Sequence, residues 1–478
     1  SIIDKHSYHT MLTELHEVAA NRVPEHAIRM DLKKIFAGRP VQVILDEIKT
    51  VDYDKKLLVG QDKNYSVDYL VIGTGCKPTY YGIKGAQEHA MPFWSFDDAV
   101  AVKERILKLF RLASVERNPE KKRELLSFTV VGAGFTGIEL IGEMAEWRTK
   151  LCHDFNIPEG EVTMTVVDMV PKILGMFNDK LSDKAMRRLR KLKVDVVLNS
   201  NIVEVTNKGI VIENKGLKTA GTVIWTAGVE SSDFAAGADF EKKGRNRIET
   251  DGYLEAKGKK NVYVVGDNIF YIPEGENKPV PQMVENAEES SAVAAKNIVA
   301  AIKGKERTIY KPEFHGAMVC IGSRYGVAQV GFPGKMFGFS GFLAMFMKHF
   351  INLIYFIQVL GFYKIWEYVC AEIFRTTENR SSVGGIFSKR SPNFWLVPLR
   401  MFIGIKWLIE GWDKLQKVMA DPNNIFLIPS KIAVSGASQA VEGGAEAAAQ
   451  WSQPLPVPGF ITKIVDWSMN LMFYNADG

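Results

Sequence analysis

Three glycines and one acid stand where a phosphate-bearing ligand could be held. In "SFTVVGAGFTGIELIGEMAEW" an apolar stretch, Ser127 to Val131, runs into Gly132-Ala133-Gly134-Phe135-Thr136-Gly137 and then into a helical pattern. Gly132 permits a tight turn, Gly134 lets backbone approach a diphosphate, and Gly137 allows helix to pack on strand. The diphosphate would rest on free N–H groups at the helix N-terminus. Downstream, "EVTMTVVDMVP" reads as a strand ending at Asp168. Its carboxylate can accept hydrogen bonds from both ribose hydroxyls of NAD and would repel a 2′-phosphate, a preference that the nearby Lys172 softens. A merely structural turn and an ordinary strand-end acid are the bland alternatives. The strand–turn–helix order favours a dinucleotide.

Two further strand–turn junctions frame this unit. "YSVDYLVIGTGCKP" runs a strand, Tyr69 to Ile72, into a Gly-Thr-Gly turn, and "KNVYVVGDNIFYIP" places Asp267 just after a glycine at a strand's end. The chain opens on Ile2-Ile3-Asp4, which reads as the end of the second strand of a dinucleotide-binding βαβ unit. This order resembles the two-dinucleotide-binding-domain flavoproteins, in which an NAD domain is inserted into a split FAD domain. The resemblance covers roughly residues 1–330. It implies an α/β fold with two Rossmann-like domains followed by a helical, membrane-associated C-terminal region. The expected division is 1–95 for the first part of the FAD domain and 96–255 for the NAD domain. Residues 256–335 complete the FAD domain, and 336–478 form the membrane-associated region. The resemblance makes Asp4 the FAD ribose acid, with Lys5 beside it, and sets Ile48, Thr74, Gly75 and Asp267 around the FAD. The first strand and glycine turn of the FAD domain are not in the sequence; about 35–45 further N-terminal residues are expected to supply them.

Cysteine placement narrows the branch. Cys76, Cys152, Cys320 and Cys370 form no CxxC, zinc or disulfide-ladder pattern. Electrons therefore do not pass to an internal cysteine pair, and no metal site is expected. Together "DKHSYHTMLTELHEVA", "GAGFTGIELIGEM", "TVIWTAGV" and "VYVVGDNIFYIP" look like type II NADH dehydrogenases, the single-chain NADH:quinone oxidoreductases. One segment departs: where that family reads AQxAxQ, this chain has "VPQMVENAEESS", keeping Gln282 but adding Glu285, Glu288 and Glu289. The resemblance implies FAD and NAD(H) as cofactors and hydride passing from nicotinamide C4 to flavin N5, then to a quinone. Ala227-Gly228 carries no bulky side chain to obstruct that stack. Glu139 and Gln282 are the expected catalytic residues. The resemblance sets Glu139 near the nicotinamide and links it to proton or quinone coupling; a carboxylate favoured by the helix dipole is the rival account. A helix beginning near Gln282-Met283 would point its N-terminus at flavin N1 and C2=O.

The elements around these residues set the location. A net charge of +5 on 60 basic and 55 acidic residues is too mild for a nucleic-acid binder. Beyond residue 335 the chain turns rich in Phe, Trp, Leu and Ile. "GFLAMFMKHFINLIYFIQVLGFYKIWEYVCAEIF" reads as a broken or interfacial helix pair. "FWLVPLRMFIGIKWLIEGW" (394–412) has the length of a span but carries Arg400, Lys406 and Glu410, and "PGFITKIVDWSMNLMFY" (458–474) is a weaker candidate. The basic stretch between the first two, with Arg375, Arg380, Lys389 and Arg390, favours the cytoplasmic side of a cell membrane. The long tail also looks, more weakly, like a DoxX-like membrane module. Expected partners are a membrane quinone, the lipid bilayer and a second copy in a homodimer. Two rival functions stand: an NADH oxidase or peroxidase-like flavoprotein, and a non-catalytic FAD-binding membrane protein.

Overall fold

The computed structural model describes residues 1–332, 334–374, 380–381 and 396–420. The chain forms two compact units, Ser1–Lys389 and Arg390–Gly478. At the centre of the first is a five-stranded parallel sheet in the order Met91–Pro92, Thr222–Trp225, Ser127–Val131, Thr163–Val167, Asp195–Val197. The continuous apolar run of the middle strand is what a strand covered on both faces requires. Helix Phe135–Asp154 leaves that strand through the glycine turn. Helix Phe96–Val115 starts on a capping box between Ser95 and Asp98, and buries Ala99, Val102, Ile106, Leu109 and Phe110 along one stripe.

Around this sheet the chain closes pieces far apart in sequence. Leu70–Ile72 pairs in parallel with Val262–Val264, and Ile2–Asp4 with Val43–Leu45. The two crossings between these parts also pair, Cys76–Pro78 antiparallel to Val229–Ser231. Arg247–Glu249 lies beside Ile269–Phe270. The stretch from Val229 to Glu249, expected within 96–255, thus pairs with strands outside that range.

A three-stranded antiparallel sheet, Gly316–Cys320, Gly326–Phe332 and Lys335–Gly341, leads into helix Phe342–Leu360. That helix breaks at Gly361, where φ is 66°, and resumes as Tyr363–Val369 and a π-helical turn, Cys370–Phe374. This is the broken pair expected from the sequence. Ala344, Met345, Lys348, Asn352 and Phe356 form its buried face, while Phe342, Phe346, Phe350, Ile354 and Ile357 are exposed. Among the described residues it is the one helix long and apolar enough to cross a membrane. In the second unit, residues expected as a span lie in helix Leu396–Ala420, which adds Asp413, Lys414 and Lys417 to the three charges already noted. The 458–474 candidate and most of the basic stretch lie outside the described residues.

Candidate functional site

The glycine turn is shaped by close approaches. Gly132 has φ +113°, and a Cβ there would sit 2.8 Å from the Thr226 hydroxyl oxygen. A Cβ on Gly137 would fall 1.9 Å from the Gly132 carbonyl oxygen. At Gly134 nothing lies within 4 Å, and no side chain caps the helix that starts there. The first turn therefore presents N–H groups to an open space, as a bound diphosphate requires. Phe135 stacks on Phe177 with centroids 5.2 Å apart, so its ring packs inward; Thr136 is half-buried beside it.

Asp168 is fixed at the end of its strand. One carboxylate oxygen accepts from the Ala133 N–H at 2.6 Å and the other from the Val170 N–H at 3.1 Å. The acid is thereby tied to the glycine turn itself. Lys172 donates to the Phe177 carbonyl at 2.8 Å and to Asp179 at 2.9 Å, which draws its charge to partners of its own. Ala227 and Gly228 follow the neighbouring strand Thr222–Trp225. Gly228 is glycine for a specific reason: a Cβ there would lie 2.2 Å from the Tyr81 hydroxyl oxygen.

On the other domain the structure gathers Thr74, Gly75, Asp267 and Gln282. The Thr74 hydroxyl meets that of Ser232 at 2.6 Å. The Asn268 side-chain amide donates to the Gly75 carbonyl at 2.7 Å and accepts from the Gly75 N–H at 2.9 Å. Gln282 donates to the Asp267 carbonyl at 3.1 Å. The Asp267 carboxylate accepts from the Cys76 thiol at 3.0 Å, and burial pushes its pKa up. Met283 precedes helix Val284–Lys303, whose N-terminus has no side-chain cap. Asp4 and Ile48 stand on separate strands, Ile2–Asp4 and Ile48–Asp52; Asp4 accepts from the His6 N–H at 2.7 Å, and Lys5 is exposed. Of the three added acids, Glu285 holds His315 through ring and backbone, and Glu289 accepts from the Glu313 N–H. Both fasten the segment leading to Gly316–Cys320.

Sequence reasoning missed a buried ionic centre beneath this site. Helix Leu15–Ala19 is buried throughout, although it carries His16 and Glu17. Arg22 ion-pairs with Glu17, with Glu143 at 3.2 Å and with Glu372 at 2.6 Å. Lys348, from the tail helix, pairs with Glu14 at 2.6 Å and Glu17 at 2.5 Å, and Arg380 with Glu143 at 3.0 Å. The Glu139 carboxylate borders this centre. It accepts from the Cys320 N–H at 3.2 Å and lies 3.7 Å from His16 Nδ1. Glu139 is the fifth residue of its helix, beyond the uncapped first turn, so the helix dipole does not account for it.

Electrostatics follow from this crowding. Burial lifts Glu139 to about 8, outweighing the pull of Lys348, and burial lifts Glu372 to about 8 against the pull of Arg22. Glu14 is also raised well above its ordinary range, first by burial and then by Glu17. Burial works against ionised Glu17 too, but Arg22 and Lys348 together hold it well below that range. Burial and Lys348 keep His16 neutral, and its Nε2 has no hydrogen-bond partner. Five acidic side chains thus face three cations, and Glu139 and Glu372, lifted to about 8, keep their protons at neutral pH. The signal in the sequence was the run "TELHEVAANR", rich in charge yet set among small apolar residues.

A family model described as pyridine nucleotide-disulphide oxidoreductase matches residues 5–291. A type II NADH:quinone oxidoreductase of Staphylococcus aureus is 31% identical over 357 residues, spanning 74% of this chain and 87% of the relative. The structure of NDH2 from Plasmodium falciparum in complex with NADH matches with a TM-score of 0.69 at 16% identity, covering 77% of this chain and 91% of that one. The sulfide:quinone oxidoreductase of Aquifex aeolicus gives 0.61 at 16% identity, covering 77% and 87%. At such identities the two structures speak for the fold alone.

Proposed function

This chain belongs to the pyridine nucleotide-disulphide oxidoreductases and, among them, to the type II NADH:quinone oxidoreductases, and from that premise we propose how its own residues serve electron transfer from NADH to a quinone. It is a flavoprotein oxidoreductase that uses FAD and NAD(H). The observation that carries the assignment of roles is one helix, Phe135–Asp154, which offers an open cradle at its first turn and lodges Glu139 against the buried ionic centre. The helix N–H groups would hold the dinucleotide diphosphate, and Asp168 its adenosine ribose. Thr226 to Gly228 would floor the nicotinamide end. Asp4, Thr74, Gly75, Asp267 and Asn268 would hold FAD, with the uncapped helix end at Met283 facing its ring. Bound FAD supplies the acceptor for the hydride and the donor to the quinone.

The net reaction, NADH + H⁺ + quinone → NAD⁺ + quinol, consumes one proton beyond the hydride. A carboxyl that stays protonated near neutral pH suits that need, and Glu139 is such a group. His16, neutral and 3.7 Å away, is placed to exchange a proton with it. The quinone would enter between Met283 and the tail helix, whose exposed Phe342, Phe346 and Phe350 would lie at the bilayer surface. The basic residues after Phe374 support a cytoplasmic side for the catalytic unit.

The test is spectroscopic, on the full-chain holoprotein. NADH should bleach the bound flavin, and quinone should restore its absorbance faster than oxygen does. Met283→Trp should slow the restoration by quinone and leave the bleaching unchanged. If oxygen acted as fast as quinone, or if Met283→Trp slowed both phases equally, the reading fails.

A further inference from the structure

In a doubly wound sheet a dinucleotide lies across the carboxyl ends of the strands. Its adenosine sits over the strand bearing the ribose acid, and its nicotinamide on the other side of the glycine turn. Here those strands are Thr163–Val167, which leads to Asp168, and Thr222–Trp225, which leads to Ala227-Gly228. One large side chain stands against that second end. Tyr81 is 55% exposed, and its hydroxyl donates to the Ala227 carbonyl at 3.1 Å. Arg245 joins it from the opposite crossing: its guanidinium lies 5.9 Å from the ring centroid and donates to the Val229 carbonyl at 3.0 Å.

Both residues hold an unfavourable backbone, with φ 52° at Tyr81 and 61° at Arg245. That conformation is disfavoured for bulky L-residues and persists where surrounding structure imposes it. Both lie in tight turns that set this backbone. Gly82 follows Tyr81 at φ 71°, with the Ile83 N–H on the Tyr80 carbonyl at 2.9 Å. Arg245 stands between Gly244 and Asn246 in the hairpin joining Lys242–Lys243 to Arg247–Glu249, so the turns, not the core, present both exposed side chains. Gly228 yields space to the hydroxyl, since any Cβ there would collide with it. Thus an exposed aromatic ring, a cation and a glycine converge on the end of the strand where the reactive half of the dinucleotide belongs.

We propose that Tyr81, steadied by Arg245, is a positioning residue whose ring forms the side wall for the nicotinamide–ribose unit of NADH. The proposal rests on the dinucleotide reading above and adds the residue that recognises the nicotinamide end. Contacts to adenosine and diphosphate lie at Asp168 and the glycine turn, so loss of the ring leaves them intact.

The experiment is anaerobic calorimetric titration of the full-chain holoprotein, its flavin reduced beforehand so that NADH binds without reacting. The ligands are NADH and, separately, ADP-ribose, which carries the adenosine and diphosphate but no nicotinamide. Tyr81→Gly removes the ring while accepting the positive φ. It should weaken NADH binding about three- to tenfold, the worth of one aromatic contact, and leave ADP-ribose affinity unchanged. Tyr81→Phe, which keeps the ring and loses two exposed hydrogen bonds, to the Ala227 carbonyl and from Arg245 at 3.5 Å, should restore NADH affinity to within about twofold of the parent. If Tyr81→Gly weakened both ligands equally, the residue would be structural and the proposal overturned; unchanged NADH affinity would overturn it as well. If the parent protein failed to bind ADP-ribose, the dinucleotide reading itself would fall and the proposal with it. ADP-ribose binding by the parent, with a Tyr81→Gly variant indifferent to the nicotinamide, removes the proposal alone.

Discussion

At its first turn the helix Phe135–Asp154 keeps its N–H groups uncapped and an open space at Gly134. About two and three turns further on, the same helix does the opposite. Glu143 is answered by Arg22 and Arg380, and Glu146 by Arg188 and by the backbone and hydroxyl of Ser323. The first region leaves polar groups unmet so that a ligand can meet them. The second meets its charges with partners from within the fold. Helix and neighbouring strands thus serve as a shared wall, with binding on one end and a sealed proton-holding centre on the other. Disturbing the open end should change ligand preference with little effect on stability, whereas disturbing the sealed end should do the reverse.

The largest effect should come from the sealed end. Arg22→Met keeps much of the volume but leaves Glu17, Glu143 and Glu372 without their common partner. Breaking one side of a buried ion pair costs about 3–5 kcal/mol, which thermal denaturation of the full chain should register as a large drop in Tm. An unchanged Tm would mean that the centre is not sealed, and the contrast would collapse. At the open end, Asp168→Ser should leave Tm nearly unchanged. Loss of a charge-assisted hydrogen bond to the ribose costs roughly 1.5–3 kcal/mol, about ten- to a hundredfold in preference for NADH over NADPH. Steady-state rates with the two dinucleotides measure it, and equal rates in the parent would refute the role given to Asp168.

A smaller effect sharpens the border between the two regions. Burial holds Glu139 at about 8, so the folded protein keeps a proton there that the unfolded chain releases from the ordinary carboxyl range upward. The stability this contributes is complete below the unfolded pKa and is lost as pH rises toward 8. Glu139→Gln should remove that slope, so that the Tm of the variant falls less with rising pH than that of the parent. Glu372, lifted to about 8 by burial, leaves a residual slope of the same sign. His16, held neutral by burial, contributes a slope of the opposite sign, so the check is the difference between the two proteins: parallel curves for parent and variant would show that Glu139 is ionised.

The same contrast governs what the sequence could reveal. The open end is written in local spacing: three glycines, an apolar strand before them and an acid closing the next strand. Those features are fixed by backbone geometry over a few residues, so they can be read without a fold. The sealed end is written in partners that only the fold brings together. Arg22 meets Glu372 across 350 positions and Lys348 meets Glu14 across 334, distances over which no periodicity survives. The charge of Lys348 within an apolar stretch was visible; its partners were not. Asn268 escaped notice for a related reason, because its role depends on Gly75, which reaches it across a parallel strand pair. Gly228 was read as carrying no side chain to obstruct a ligand; that a Cβ there would also meet the Tyr81 hydroxyl was not legible, because Tyr81 reaches it across 147 positions.

The pairing of Lys348 with Glu14 and Glu17 also bears on any attempt to make a shortened, detergent-free form of this protein. Cutting before Phe342 would remove more than an exposed apolar surface. It would strip the ammonium from two carboxylates inside the catalytic unit, remove Glu372 and Arg380 from the same centre, and open that centre to solvent. A soluble version is therefore better sought by replacing the exposed Phe342, Phe346, Phe350 and Ile354 with polar residues, leaving Lys348 and Asn352 on the opposite face untouched.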